Sequence, residues 1–152
     1  EKEIMLRSPR KPNAPLLTHV LLFRISLVGL LLLAGAFGLF EVALSRGASL
    51  MEARTIAVNV FVFGELFYLF NCRSLTLPVS KIGFFSNPWL LVGVSSMALL
   101  QLLFTYSPVM NHLFQTAPIG LMDWGQIFFV SFIIYFSVKL EKNYRLRRSK
   151  DG

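Results

Sequence analysis

The stretch ISLVGLLLLAGAFGLF, residues 25–40, carries no charged side chain. Extended back to Leu16, with Arg24 its only charge, it exceeds the roughly 20 helical residues needed to cross a hydrocarbon layer about 30 Å thick. Charge-free runs recur at 82–122 and 124–138, and Glu65 is the only charge between Thr55 and Cys72. These blocks predict an all-α membrane protein with four transmembrane helices, over about 16–40, 53–72, 88–106 and 122–140, joined by short loops. A basic tail follows over 141–152, and residues 1–152 read as a single membrane domain. Composition agrees, since 55% hydrophobic against 15% charged residues and a mean hydropathy of +0.61 lie outside the range of soluble domains.

The net charge of +7 does not point to nucleic acid, because it is distributed by topology. Lys2, Arg7, Arg10 and Lys11 precede the first block, and Lys139, Lys142, Arg145, Arg147, Arg148 and Lys150 follow the last. Placing both termini and the loop with Arg73 and Lys81 on one side puts twelve basic residues there, against Arg46 and Arg54 on the other. The positive-inside rule then makes both termini cytoplasmic, with the tail facing anionic headgroups or a cytoplasmic domain. Arg24, near the cytoplasmic end of the first span, is expected to snorkel to the headgroups. The lone Cys72 permits no intramolecular disulfide. The chain opens on Glu1, and its first apolar block lacks a small-residue cleavage pattern, so no signal peptide is expected and the chain reads as excised from a longer one.

Within the spans, Gly29, Ala34, Gly35 and Gly38 suit close helix packing in lipid, with a hinge as the alternative. Pro88 fits the first turn of the third span, whose Trp89 and Tyr106 suit opposite interfaces. The segment 107–121, with Pro108 and Pro118, reads as a loop with one interfacial turn near Met110–Phe114. No internal repeat is evident, which argues against two inverted transporter halves.

Glu65 stands out. It lies ten positions after Thr55 and seven before Cys72, about 15 Å and 10 Å along the helix, well inside the hydrocarbon layer. An acidic residue at mid-membrane costs about 2.5 to 3.5 kcal/mol, and the apolar residues between Ile56 and Phe70 return roughly 3 to 6 kcal/mol. The helix can therefore insert, but the carboxylate must face protein, a partner or water. At 100° per residue, Phe61, Tyr68 and Cys72 fall within about 40° to 60° of Glu65, while Asn59 and Asn71 fall about 120° to either side. Tyr68 can thus share a ligand with Glu65, and the asparagines cannot join them. Ion or proton binding by Glu65 and a purely structural hydrogen bond both stay open. One carboxylate does not complete a hard-cation cage, which takes about six or more oxygens.

His19 and His112 fall on opposite sides of the membrane and do not form a metal site. Asp123, beside Trp124 at the start of the fourth span, suits helix capping. There is no phosphate loop, no carboxylate pair and no nucleophile beside a base, so the chain carries no catalytic residues and no cofactor site of its own.

Several segments carry a specific likeness. MLRSPRKP at 5–12, Ala53-Arg54-Thr55 followed by Glu65 and Asn71-Cys72-Arg73-Ser74, YSPVM at 106–110, FQTAP at 114–118, Asp123-Trp124 and Glu141-Lys142 occur in order across nearly the whole chain. They resemble the C-terminal membrane domain of P-type cation-transporting ATPases of the calcium-pump type, the last four of ten membrane helices. The resemblance implies a support domain bracing the ion-carrying helices of a calcium exporter, with Glu65 a metal ligand and Tyr68 a weaker one. Where two-site calcium pumps have an asparagine three positions after the glutamate, this chain has Tyr68, which keeps an oxygen but favours a single site or a different cation. ATP, magnesium and the transported cation belong to the parent pump, whose phosphorylation motif and cytoplasmic domains are not in this sequence. Its implied partners are the lipid bilayer and the remaining helices and cytoplasmic domains of that pump, in a prokaryotic plasma membrane. Two other readings remain: a free-standing four-helix proton- or cation-coupled transporter, then expected as a homo-oligomer, and a noncatalytic assembly or regulatory membrane subunit.

Overall fold

In the computed structural model the described residues, 17–72 and 87–148, form five helices: α1 His19–Ser45, α2 Leu50–Cys72, α3 Pro88–Tyr106, the short α4 Pro108–Phe114 and α5 Leu121–Arg148. The approach at 1–16, the loop with Arg73, Pro78 and Lys81, and the end with Lys150 lie outside the described residues. Helices α1, α2, α3 and α5 are each long and apolar enough to cross a membrane, so the all-α, four-span architecture holds. Four crossings return the chain to the side on which it started.

Helix ends differ from those expected where local capping decides them. Helix α1 runs on to Ser45 and α2 begins at Leu50, which reduces the polar loop to residues 46–49. Ser49 and Glu52 form a capping box: Glu52 N–H donates to Ser49 Oγ at 3.2 Å, and Ser49 N–H donates to Glu52 Oε2 at 2.7 Å. Gly47 turns the chain at φ 84°, a conformation that costs glycine no Cβ clash. Segment 107–120 contains α4, started by Pro108 and stopped at Gln115 in the left-handed region. Helix α5 does not stop near Leu140 but continues through the basic stretch to Arg148.

The core lies between α1, α2 and α5. One buried cluster includes Ala36, Ile56, Val60, Phe63, Trp124 and Ile127, and a second consists of Val28, Leu32, Ile134 and Val138. Two glycines mark the closest approaches. A Cβ on Gly35 would stand 2.6 Å from Val130 Cγ1, and one on Gly64 would stand 2.5 Å from Leu32 Cδ2. Of the small residues in α1, Gly35 serves this packing, whereas Gly29 and Gly38 have open space where a Cβ would sit. Helix α3 is peripheral: 11% of its apolar window is buried, against 44% for α2.

Candidate functional site

Helix α2 has one exposed stripe, and Glu65 is at its centre. Met51, Arg54, Val58, Phe61, Glu65, Leu69 and Cys72 are exposed, and at 100° per residue all fall within about 40° of Glu65. The rest of the helix is held. Asn59 Nδ2 donates to Thr55 O at 2.9 Å and to Thr105 Oγ1 of α3 at 3.1 Å. Asn71 Nδ2 donates to Tyr135 O of α5 at 3.0 Å. The asparagines are therefore interhelical ties, as their angular separation from Glu65 requires. In lipid, such bonds replace a hydrophobic drive that helices do not feel.

Tyr68 is placed differently from its helical neighbour. It is half-buried against the Val28, Leu32, Ile134 and Val138 cluster, beside Arg24, Glu141 and Cys72. Glu65 makes no hydrogen bond or ion pair with any described residue, so the two oxygens are not joined within this domain. Among the described residues no group of three or more His, Cys, Asp or Glu side chains could hold a metal ion. His19 opens α1 and His112 lies in α4 beyond the opposite end of the bundle.

Arg24 corrects the snorkelling expectation. It is 2% exposed and its Nη2 donates to Glu141 Oε2 at 3.1 Å, while Arg145 Nε lies 3.3 Å from Glu141 Oε1. The cause is the continued helix, which carries Glu141 past the expected end of the span and back toward α1. Two charges removed from water must be paired, and this pair ties the first helix to the last. At the other end, Asp123 accepts from Gly120 N–H at 3.0 Å, capping α5, and from Arg46 Nη2 at 2.8 Å. Trp124 is buried, edge-on to Phe63, with its Nε1 donating to Tyr106 OH at 2.7 Å. Tyr106 in turn donates to Ile119 O at 3.0 Å, and Thr55 Oγ1 accepts from Ala117 N–H at 3.0 Å. This network pins the 115–120 loop onto α2 and α5. The pairing of Glu141 with Arg24 and the role of Thr105 escaped the sequence reading, although Gln101 and Thr105, polar and four apart in an apolar run, were a legible signal for a helix contact.

The arrangement is a packed bundle of α1, α2 and α5 with the Glu65 carboxylate exposed within α2. Comparison with known proteins agrees with it. Residues 1–144 match the family model described as cation transporting ATPase, C-terminus. The chain is 50% identical over 131 residues to "Probable cation-transporting ATPase F" of Mycobacterium tuberculosis, covering 86% of this chain and 14% of that protein. It is 37% identical over 131 residues to "Cation-transporting ATPase pma1" of Synechocystis sp., covering 81% of this chain and 14% of that protein. Identity to "Calcium-transporting ATPase 1" of Schizosaccharomyces pombe is 29% over 148 residues, 97% of this chain and 16% of that protein. The chain thus spans about one seventh of the length of these relatives. A four-span bundle matched almost end to end by that model belongs to the C-terminal domain family of the cation-transporting ATPases.

Proposed function

We propose that this chain is the membrane support domain of an ATP-driven cation pump in a prokaryotic plasma membrane, and that Glu65 supplies one oxygen to the site of the transported cation. Calcium is the cation this reading favours. The observation that carries it is the position of Glu65 at the centre of the only exposed stripe on α2, the most buried of the four spans. A carboxylate at that depth is retained when it has a partner, and none of the described residues supplies one. The remaining helices of the parent pump would cover the stripe and bring the other oxygens that a hard cation requires.

The division of labour follows from the packing. The Arg24–Glu141 pair, the Asn71 tie and the Gly35 and Gly64 contacts make α1, α2 and α5 one unit, which holds Glu65 fixed while mobile helices move past it. ATP hydrolysis through an aspartyl-phosphate belongs to cytoplasmic domains of the parent. In the cycle, cytoplasmic cation binds, phosphorylation closes its entry, and rearrangement releases it outside.

The test is calcium-dependent phosphorylation of the full-length pump by ATP, with and without Glu65→Gln. Losing a charged ligand oxygen, worth about 1.5 to 3 kcal/mol, lowers apparent calcium affinity about ten- to a hundredfold. Unchanged affinity together with unchanged proton dependence would remove Glu65 from the ion site.

A further inference from the structure

The polar tie between α2 and α3 lies toward one end of the helices, and away from it the helices part. Thr105 and Asn59 meet, but from Phe63 onward α2 is separated from Val94 and Ala98 of α3 by a cavity of about 310 Å³. Its walls are Phe63, Phe67, Val94, Ala98, Phe132 and Tyr135 among others, and they expose no polar surface. Such a cavity offers nothing to an ion or to water, which needs two or more polar partners. Phe128 and Tyr135 of α5 both line it, seven residues or about 10 Å apart along the helix. One further turn along, about 6 Å beyond Tyr135, stands Lys139. Its ammonium lies 5.9 Å from the Tyr135 ring centroid and 5.3 Å from that of Phe136. Glu141, the nearest acidic residue on α5, is engaged by Arg24 and Arg145 and does not neutralise it.

An elongated apolar slot between membrane helices, with a cation at the end that the charge count assigns to the cytoplasm, matches the chemistry of one class of ligand. We propose that the α2–α3–α5 cleft binds an anionic phospholipid of the inner leaflet, one acyl chain lying in the slot and the phosphate held by Lys139. The size is at the lower end of small-molecule sites, and basic residues flanking interhelical pockets on the cytoplasmic side are the ordinary means of headgroup recognition. The cleft is separate from the Glu65 stripe: Phe63, Leu66, Phe67 and Phe70 lie about 100° to 160° around α2 from Glu65. It also does not depend on the pump reading. The bound chain would wedge α3 at a fixed distance from the locked unit.

The test reconstitutes the intact protein in phosphatidylcholine vesicles carrying a little phosphatidylglycerol with a diazirine in its acyl chain, illuminates them and maps the adducts by peptide mass spectrometry. Adducts are expected to concentrate at 63–70 and 132–135 rather than at Phe129 and Leu99, which are exposed on outer faces. Lys139→Gln should lower the phosphatidylglycerol yield in the cleft about fivefold, the effect of one basic residue near a headgroup. It should leave the yield from a matching phosphatidylcholine probe unchanged. Ala98→Phe, which fills the slot, should abolish both. Adducts no denser in the cleft than on the outer faces would overturn the proposal, as would a yield indifferent to headgroup and to Lys139→Gln, a measurement that holds even if Ala98→Phe fails to fold.

Discussion

Arg24 and Glu65 are both charged residues inside apolar spans, and the structure treats them oppositely. Arg24 finds Glu141 within the domain, whereas Glu65 finds no partner among the described residues. The depth of Glu65 and the divergence of Asn59 and Asn71 were legible because helical spacing alone determines them. The Arg24 pair was not, because Glu141 is 117 residues away and a hydropathy reading stops the last helix before reaching it. Breaking a buried pair by removing one partner costs about 3 to 5 kcal/mol, much of it for the charge left behind. Arg24→Met should therefore destabilise the protein strongly, and Arg24→Met with Glu141→Met should recover most of the loss. Thermal unfolding in detergent measures both, and a double variant no better than the single one would mean the pair is not what couples α1 to α5.

At the level of helices, the charge-poor blocks pointed to the four long apolar helices found among the described residues, because a membrane helix is written in length and hydropathy. The ends were less legible. Ser49 and Glu52 have the spacing of a capping box, yet their polarity reads equally well as loop. Small residues in α1 pointed to packing without saying which of them pack. The structure separates them and orders their substitutions. Gly35→Ala meets the stiff, branched Val130 and should cost about 1 to 3 kcal/mol. Gly64→Ala meets the far end of Leu32 and should cost less, while Gly29→Ala and Gly38→Ala, with open space, should be neutral or stabilising by up to about 1 kcal/mol. Chemical denaturation of the four variants checks the order. Helix α3 depends on few contacts, so Thr105→Val, which removes the hydroxyl that Asn59 reaches, should speed amide exchange in α3 well before it does so in α2. Equal acceleration in both helices would show that α3 is not separately held.

For the whole molecule, the family was legible from motif order, while the direction of the Glu65 face required coordinates. Cys72, the single cysteine of this sequence, reports orientation once any cysteine elsewhere in the full-length protein is replaced. Cys72 is exposed at the end of α2 that the charge count places in the cytoplasm. A membrane-impermeant maleimide should label it only after permeabilisation, and labelling of intact cells would invert the topology. The central claim is that the α2 stripe faces other protein helices and an ion path instead of lipid. Nitroxide labels placed singly at 58, 61, 65 and 69, compared with labels at the exposed Phe129 and Ile133 of α5, test it in the full-length protein by oxygen accessibility. Low oxygen access along the stripe beside high access on α5 is the expected result; access at 61 and 65 equal to that at 129 would put Glu65 against lipid and end its role as a cation ligand.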